Sequence, residues 1–343
     1  YTLRVKIIWN QNKSEVFIMT GRICGTGSCV PSFAMDNNDI AKLVDTSDEW
    51  IRERTGVVRR HIIREETTVS MAAEAGRQAL ENAGIAAEDV DLIIVSTISS
   101  NVILPCTACE VQKDLGAKHA TCFDLSAACT GFVVAYNTAA AYLNAGVYQT
   151  ALIIGSESLS NLTNWKDRGT CILFGDGAGA AVLKREDTGY YLPVTHSDGF
   201  RGEALRCKSR YDRSELSQED MPKPEEKEYL MQMDGREVFM FAVKSVPQAI
   251  KEVLEKNDTA QEEISFYILH QANRRIVEAI AKRLGEPIEK FPMNLEEYGN
   301  TSSASIPILL DELNRAGKLN RGQKIILAGF GAGLTWGASI LEW

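Results

Sequence analysis

The 343-residue chain has only four histidines, and its 37 lysines and arginines are outnumbered by 46 aspartates and glutamates, for a formal charge of −9. That shortage of positive charge argues against general attraction to nucleic acid or anionic lipid, so an acidic partner would need a local basic patch. No apolar run approaches the ~18 residues of a membrane-spanning helix. With 45% apolar and 24% charged residues, the composition excludes extended disorder. The cysteines at 24, 29, 106, 109, 122, 129, 171 and 207 are scattered rather than grouped into a disulfide framework, which predicts free thiols and a reducing, cytoplasmic setting. Cys106 and Cys109 have metal or redox spacing without a second Cys/His pair nearby; they are read as helix-buried thiols, and no metal is expected. Residues 1–18 have none of the basic start, apolar middle and small-residue end of a signal peptide, and they are set apart as an extension or tag.

At ~150 residues per domain, the length allows two domains or one duplicated one. Hydrophobic period predicts helices at 70–83, 105–115 and 131–145, and strands at 90–96, 121–125 and 150–154. Such alternation builds an α/β fold with a largely parallel sheet covered on both faces. The pattern then recurs. AEDVDLIIVST (87–97) aligns with QEEISFYILHQ (261–271), and AYLNAGVYQTALIIG aligns with DELNRAGKLNRGQKIILAG. Ser96 and His270 lie 174 residues apart and Ala145 and Ala316 lie 171 apart, a near-constant offset that signals duplication. The expected boundaries are 19–190 and 229–343 for the two halves. A linker or insertion is expected at 191–228, where Ser, Pro and charge accumulate.

Four segments carry candidate chemistry. In FDLSAACTGF (123–132) an apolar strand runs through small residues into Cys129 and a helix, where the positive helix end favours thiolate and Gly131 permits a sharp turn. In ILHQANRRI (268–276) His270 follows an apolar strand, the end at which open α/β sheets bind ligands. His61 and His196 lack such a setting, and His119 precedes a strand. In YGNTSSASIP (298–307) Asn300 opens the helix that matches the Cys129 helix, so pseudo-symmetry brings both helix starts and His270 toward one centre; an ordinary N-cap cluster is the competing reading. In GFGAGLTWGA (329–338) the glycines allow backbone N–H groups close to an oxyanion, against a plain hairpin turn. GDGAGAAVL (175–183) continues as a strand, which makes a dinucleotide fingerprint a poor fit. The order Cys, His, Asn also occurs in papain-like peptidases, but the Ala-Ala-Cys-Thr-Gly-Phe context and the duplicated α/β pattern do not fit them.

The stretches GTGSCVP, DTSDEWIRERTGVVRRH, DLSAACTGF, FGDGAGAAVL, MDGREVF, HQANRRI, GNTSSASIP and GFGAGLTWGA, in that order from Gly21 onward, resemble the β-ketoacyl-acyl-carrier-protein synthase III family of bacterial fatty-acid biosynthesis. The resemblance implies a thiolase-like fold: two duplicated α/β halves with mixed, largely parallel sheets in a layered α-β-α-β-α arrangement. It implies a homodimeric acyltransferase without metal or redox cofactor, in which Cys129 takes the acyl group of a short acyl-CoA and malonyl-acyl carrier protein then loses CO2 and condenses with it. His270 and Asn300 would stabilise the enolate. The backbone N–H of Cys129 and one from the Gly331-Ala332 turn would form the oxyanion hole.

By the same resemblance, Trp50, Arg54 and Arg168 would hold the adenine and phosphates of CoA, and Asn273 its pantetheine arm. Arg275, Lys282 and Arg283, at i, i+7 and i+8 of one helix, would dock the acidic carrier. Met240 stands where the family often has lysine. Leu104 stands where some relatives close the acyl tunnel with phenylalanine across the dimer interface, which implies tolerance of longer or branched primers. Rival assignments are weaker: GFGAG has no second thiolase cysteine, and elongating synthases have histidine where Asn300 stands. An acyl-CoA-primed polyketide-type condensing enzyme and a non-catalytic acyl-binding homologue remain as alternatives.

Overall fold

The computed structural model describes residues 20–186, 191–209 and 226–343; the expected extension at 1–18 and the centre of the polar stretch lie outside them. In chain order the first half supplies β1 (Thr20–Cys29), α1 (Asp48–Thr55), α2 (Thr68–Ala83), β2 (Leu92–Ser96), α3 (Thr107–Leu115), β3 (Thr121–Leu125), α4 (Gly131–Asn144), β4 (Thr150–Ser158) and β5 (Asp176–Glu186). The second supplies β6 (Val194–Ser197), α5 (Gly235–Lys256), β7 (Ile264–Leu269), α6 (Arg274–Leu284), α7 (Ser305–Arg315), β8 (Lys324–Gly331) and β9 (Thr335–Glu342). Helix α2 begins two residues earlier than its period suggests, because Thr67 and Ser70 form a capping box at its start.

The first sheet has the order β1-β5-β4-β2-β3 and the second β7-β8-β9-β6. Read from its far edge, the second repeats the first without a counterpart of β3. In the first, β2 runs parallel to β3 and β4, while β5 is antiparallel to β4 and β1. In the second, β7 and β8 are parallel and the other two pairings antiparallel. Both sheets are therefore mixed. Helical crossovers make their centres parallel, but β5 and β9 follow β4 and β8 without a long crossover helix and fold back antiparallel. Strand β6 lies inside the stretch expected to be linker. It is one of the two edge strands of the second sheet, and four residues of Val-Thr-His-Ser are too few to show a period.

Strand residues alternate between two buried surfaces. Leu92 and Ile94 pack with α4 and α7, while Ile93 and Val95 pack under α2 and α3. In the second sheet, Ile325 and Leu327 face the same central pair of helices, and Ile326 and Ala328 pack with α5 and α6. This gives five layers, with α4 and α7 sandwiched between sheets, and explains why the strands read as unbroken apolar runs. Most outer helices have side-chain caps: Thr67 for α2, Asp234 for α5 and Asn273 for α6. The central helices α4 and α7 have none. Short turns lead into both instead, Gly131 N–H donating to Ala128 O and Ser305 N–H to Ser302 O.

Candidate active site

The chain leaves β3 at Leu125 and reaches α4 through a short turn, Ala128–Thr130, in which Ala128 takes φ +45°. Ser302, 174 residues later, takes φ +49° at the start of the matching turn before α7. Such values are uncommon for residues with a side chain and fit a functional tip. The left-handed step falls at Ala128 rather than at Gly131, which is ordinarily helical at φ −56°. Glycine is required at 131 for space instead, since a Cβ there would lie 1.9 Å from Ser96 Oγ.

Cys129 is buried at this tip, and a Cβ on Gly331 would fall 2.8 Å from Cys129 Cβ, 3.1 Å from its backbone N and 3.2 Å from Sγ. Only glycine lets the β8–β9 hairpin approach the sulfur so closely. Thr130 and Thr335 hold the hairpin there, their hydroxyls 2.9 Å apart. The hairpin reading and the oxyanion reading of this segment are thus compatible. Burial pushes the Cys129 thiol up to about 12, so desolvation outweighs the helix end expected to favour thiolate.

His270 follows β7, its N–H donating to Ala328 O at 2.9 Å. Its Nδ1 lies 2.7 Å from Ser305 Oγ, and Phe330 packs edge-on at 5.1 Å between ring centroids. Burial pushes its pKa down to about 3, which keeps the ring neutral. Asn300 is pinned by its backbone between Leu173 O and Gly175 N–H. Its Oδ1 accepts from Ser302 N–H at 2.9 Å, and Nδ2 has no hydrogen-bond partner among the described residues. The side chain therefore braces a turn and does not cap α7. Cys129, His270, Asn300, Phe330 and Gly331 all border one cavity of about 670 Å³, so the three residues read from distant segments share one chamber.

The other wall and mouth of that cavity include Trp50, Arg54, Arg168 and Asn273. The Trp50 ring lies 4.9 Å from the Arg168 guanidinium and 5.8 Å from that of Arg54, an aromatic face flanked by two cations. Arg236, which the sequence reading did not single out, lines it too. Asn273 uses its carboxamide within the protein: Oδ1 accepts from Arg275 N–H and Nδ2 donates to Arg54 O. A second cavity of about 930 Å³ also reaches Cys129 and has a mixed lining, with Leu159, Leu162, Phe174 and Met231 beside Asn161 and Arg206. A channel with an aromatic, cationic mouth and a second cavity of mixed lining thus meet at one sulfur.

Profiles of 3-oxoacyl-[acyl-carrier-protein] synthase III match residues 123–199 and, for its C-terminal part, 254–343. The chain is 47% identical over 322 residues to β-ketoacyl-[acyl-carrier-protein] synthase III of Clostridium acetobutylicum, covering 94% of this chain and 98% of that protein. The chain belongs to the β-ketoacyl-[acyl-carrier-protein] synthase III family. Among solved structures it is similar to the synthase III of Aquifex aeolicus, with TM-score 0.87, 42% identity and coverage of 94% and 100%. It is also similar to the priming β-ketosynthase of the R1128 polyketide pathway, with TM-score 0.87, 35% identity and coverage of 94% and 96%. The thiolase-like fold and the condensing acyltransferase class follow from membership of the synthase III family.

The remaining residues expected from the family motifs lie outside the central chamber. Arg275, Lys282 and Arg283 are exposed on α6, and Met240 is 56% exposed on α5. Leu104 is 88% exposed and lines neither cavity of its own chain. Cys106 and Cys109 are half-buried at the start of α3 with sulfurs 3.4 Å apart, more open than expected. No cluster that could hold a metal occurs among the described residues, and no helix among them is long and apolar enough to cross a membrane.

Two buried groups near the site were missed in the sequence. Glu157, at the end of β4, accepts from Ser99 Oγ at 2.5 Å, Ile98 N–H at 3.1 Å and Ser303 Oγ at 2.8 Å. Burial pushes its carboxyl up to about 7. Ser305 is the other. Both stand 174 residues from a residue already of interest, Gly331 and Gly131, so the duplication offset was the signal that could have found them.

Proposed function

We propose that this synthase primes fatty-acid synthesis by condensing a short acyl-CoA with malonyl-acyl carrier protein, using Cys129, His270 and Asn300. The observation that carries this is the convergence of two cavities on Cys129, one with Trp50, Arg54 and Arg168 at its mouth, beside a neutral imidazole and a carboxamide whose Nδ2 has no partner among the described residues. In the first half-reaction Sγ attacks the thioester carbonyl, the C–S bond to CoA breaks, and the thiol proton leaves on the CoA sulfur. The Cys129 N–H and the Gly331-Ala332 turn receive the oxyanion; removing one such donor typically costs ~3 kcal/mol of barrier. In the second, the malonyl C–CO2 bond breaks and its electron pair enters an enolate whose oxygen accepts from His270 and Asn300. That pair then bonds to the acyl carbon, and Cys129 leaves with the C–S pair as a thiolate that takes one proton from solvent to restore the thiol.

Trp50, Arg54 and Arg168 suit a nucleotide base and phosphates, because guanidinium groups stack and pair with phosphate. Asn273, whose carboxamide is engaged within the protein, serves the pantetheine arm as wall and helix cap. Arg275, Lys282 and Arg283 offer an acidic carrier a basic face on a chain of net charge −9. The synthase works in the cytoplasm as a homodimer without cofactor, Leu104 reaching the acyl chamber of its partner. Mass analysis after incubation with acyl-CoA tests the reading. The acyl group is expected on the Cys129 peptide, absent in Cys129→Ser and discharged by malonyl-carrier. Glutamate at Arg275, Lys282 and Arg283 should slow only the discharge. An unlabelled Cys129 peptide would favour the non-catalytic, acyl-binding reading.

A further inference from the structure

The His270 imidazole can serve an enolate only if the nitrogen facing the cavity carries the proton. A neutral ring has one N–H, so its tautomer is set by whatever Nδ1 meets. Nδ1 meets a single hydroxyl, Ser305 Oγ, at 2.7 Å. That oxygen already accepts from Gln271 N–H at 3.2 Å and lies 2.9 Å from Ser302 O. The hydroxyl has one hydrogen and two candidate acceptors. If the hydrogen goes to Ser302 O, Nδ1 must be the N–H, and Nε2 turns a lone pair toward the cavity. If it goes to Nδ1, Nε2 carries the proton and is a donor. The contact to Nδ1 is the shorter, and all three residues are buried, with His270 and Ser302 at 1% and Ser305 at 2% exposure.

The duplication supplies a second, independent observation. The residues 174 positions before His270 and Ser305 are Ser96 and Gly131. They touch in the same way, Gly131 lying so close that a Cβ would be 1.9 Å from Ser96 Oγ. The half without the imidazole has no hydroxyl at the matching helix position, and the half with the imidazole has one.

We propose that Ser305 is a positioning residue that fixes the tautomer of His270, its hydroxyl donating to Nδ1 so that Nε2 presents an N–H to the enolate oxygen. This rests on the condensing-site reading above. During decarboxylation the Nε2 proton stays on the ring: the C–CO2 pair moves into the enolate, CO2 departs, and the hydrogen bond from Nε2 strengthens as charge builds on the oxygen. No proton is needed from solvent for that step. Acyl transfer to Cys129 does not use the donor and is indifferent to the tautomer.

Nitrogen-15 NMR of the full chain labelled at histidine tests this, with the His270 signals assigned by their loss in His270→Ala. In the unsubstituted protein the protonated nitrogen is expected to be Nε2. Ser305→Ala should shift the proton wholly or partly to Nδ1 and slow malonyl-carrier decarboxylation by ~10²-fold, the usual effect of losing one preorganised donor. Cys129 acylation should stay within about twofold. Ser305→Thr, which keeps the hydroxyl, should restore both tautomer and rate. A proton on Nδ1 in the unsubstituted protein, an unchanged tautomer in Ser305→Ala, or equal loss of both half-reactions would overturn the proposal. Full decarboxylation by His270→Ala would instead overturn the site reading beneath it.

Discussion

Cys129 lies where a helix start should stabilise a thiolate, yet burial carries its thiol up to about 12. At neutral pH the resting group is therefore the thiol, with little standing thiolate. Alkylation by iodoacetamide in the absence of substrate is expected to accelerate close to tenfold per pH unit from pH 6 to 9, as thiolate forms below its pKa. A rate that levels off below pH 8 would contradict this. The place of Cys129 between a strand and a helix was legible, because strand, small residues and helix surround it in one continuous stretch. So was His270 at a strand end, whereas Asn300, read as opening the repeated helix, sits in the turn before it. Ser305 and Glu157 were not, because a hydroxyl or carboxyl among small residues has no period, and its importance comes only from the groups folding brings to it.

Among the elements, the mirrored tips of α4 and α7 share the demands of the site unequally. The first ends in Cys129 against Gly331, and the second carries Ser303 against Glu157 at the same offset. Glu157 is fully buried, no cation is among its hydrogen-bond partners, and its pKa is raised. Its folded form holds a proton that the unfolded chain releases, so between about pH 4.5 and 7 stability falls as pH rises. Glu157→Gln removes that loss. Relative to the variant, the unsubstituted chain should weaken by on the order of 3 kcal/mol from pH 4.5 to 8 in urea unfolding. A difference that stays constant over that range would remove Glu157 as its source. The elements themselves were largely readable: β3 falls on its expected bounds and α4 ends one residue early. Strand β6 was not, since its identity lies in its pairing with β9 rather than in its own four residues.

For the molecule as a whole, the near-constant repeat offset disclosed the duplication, while the mixed direction of the sheets depended on connections that periodicity does not reveal. Neither does sequence period place Leu104, which is exposed on its own chain. In a homodimer where it borders the partner's acyl chamber, turnover should extend from acetyl-CoA to isobutyryl- and hexanoyl-CoA, and Leu104→Phe should narrow that range toward acetyl. Strict acetyl preference, unaltered by the substitution, would count against this role.

The division of labour among Cys129, His270 and Asn300 is tested most directly by timing the two half-reactions separately in His270→Ala and Asn300→Ala. Acyl transfer from acyl-CoA to Cys129 should largely survive in both, while release of CO2 from malonyl-carrier should fall by ~10² or more. Parallel loss of the two steps, or decarboxylation at the unsubstituted rate, would contradict the assignment of one chamber to two chemistries.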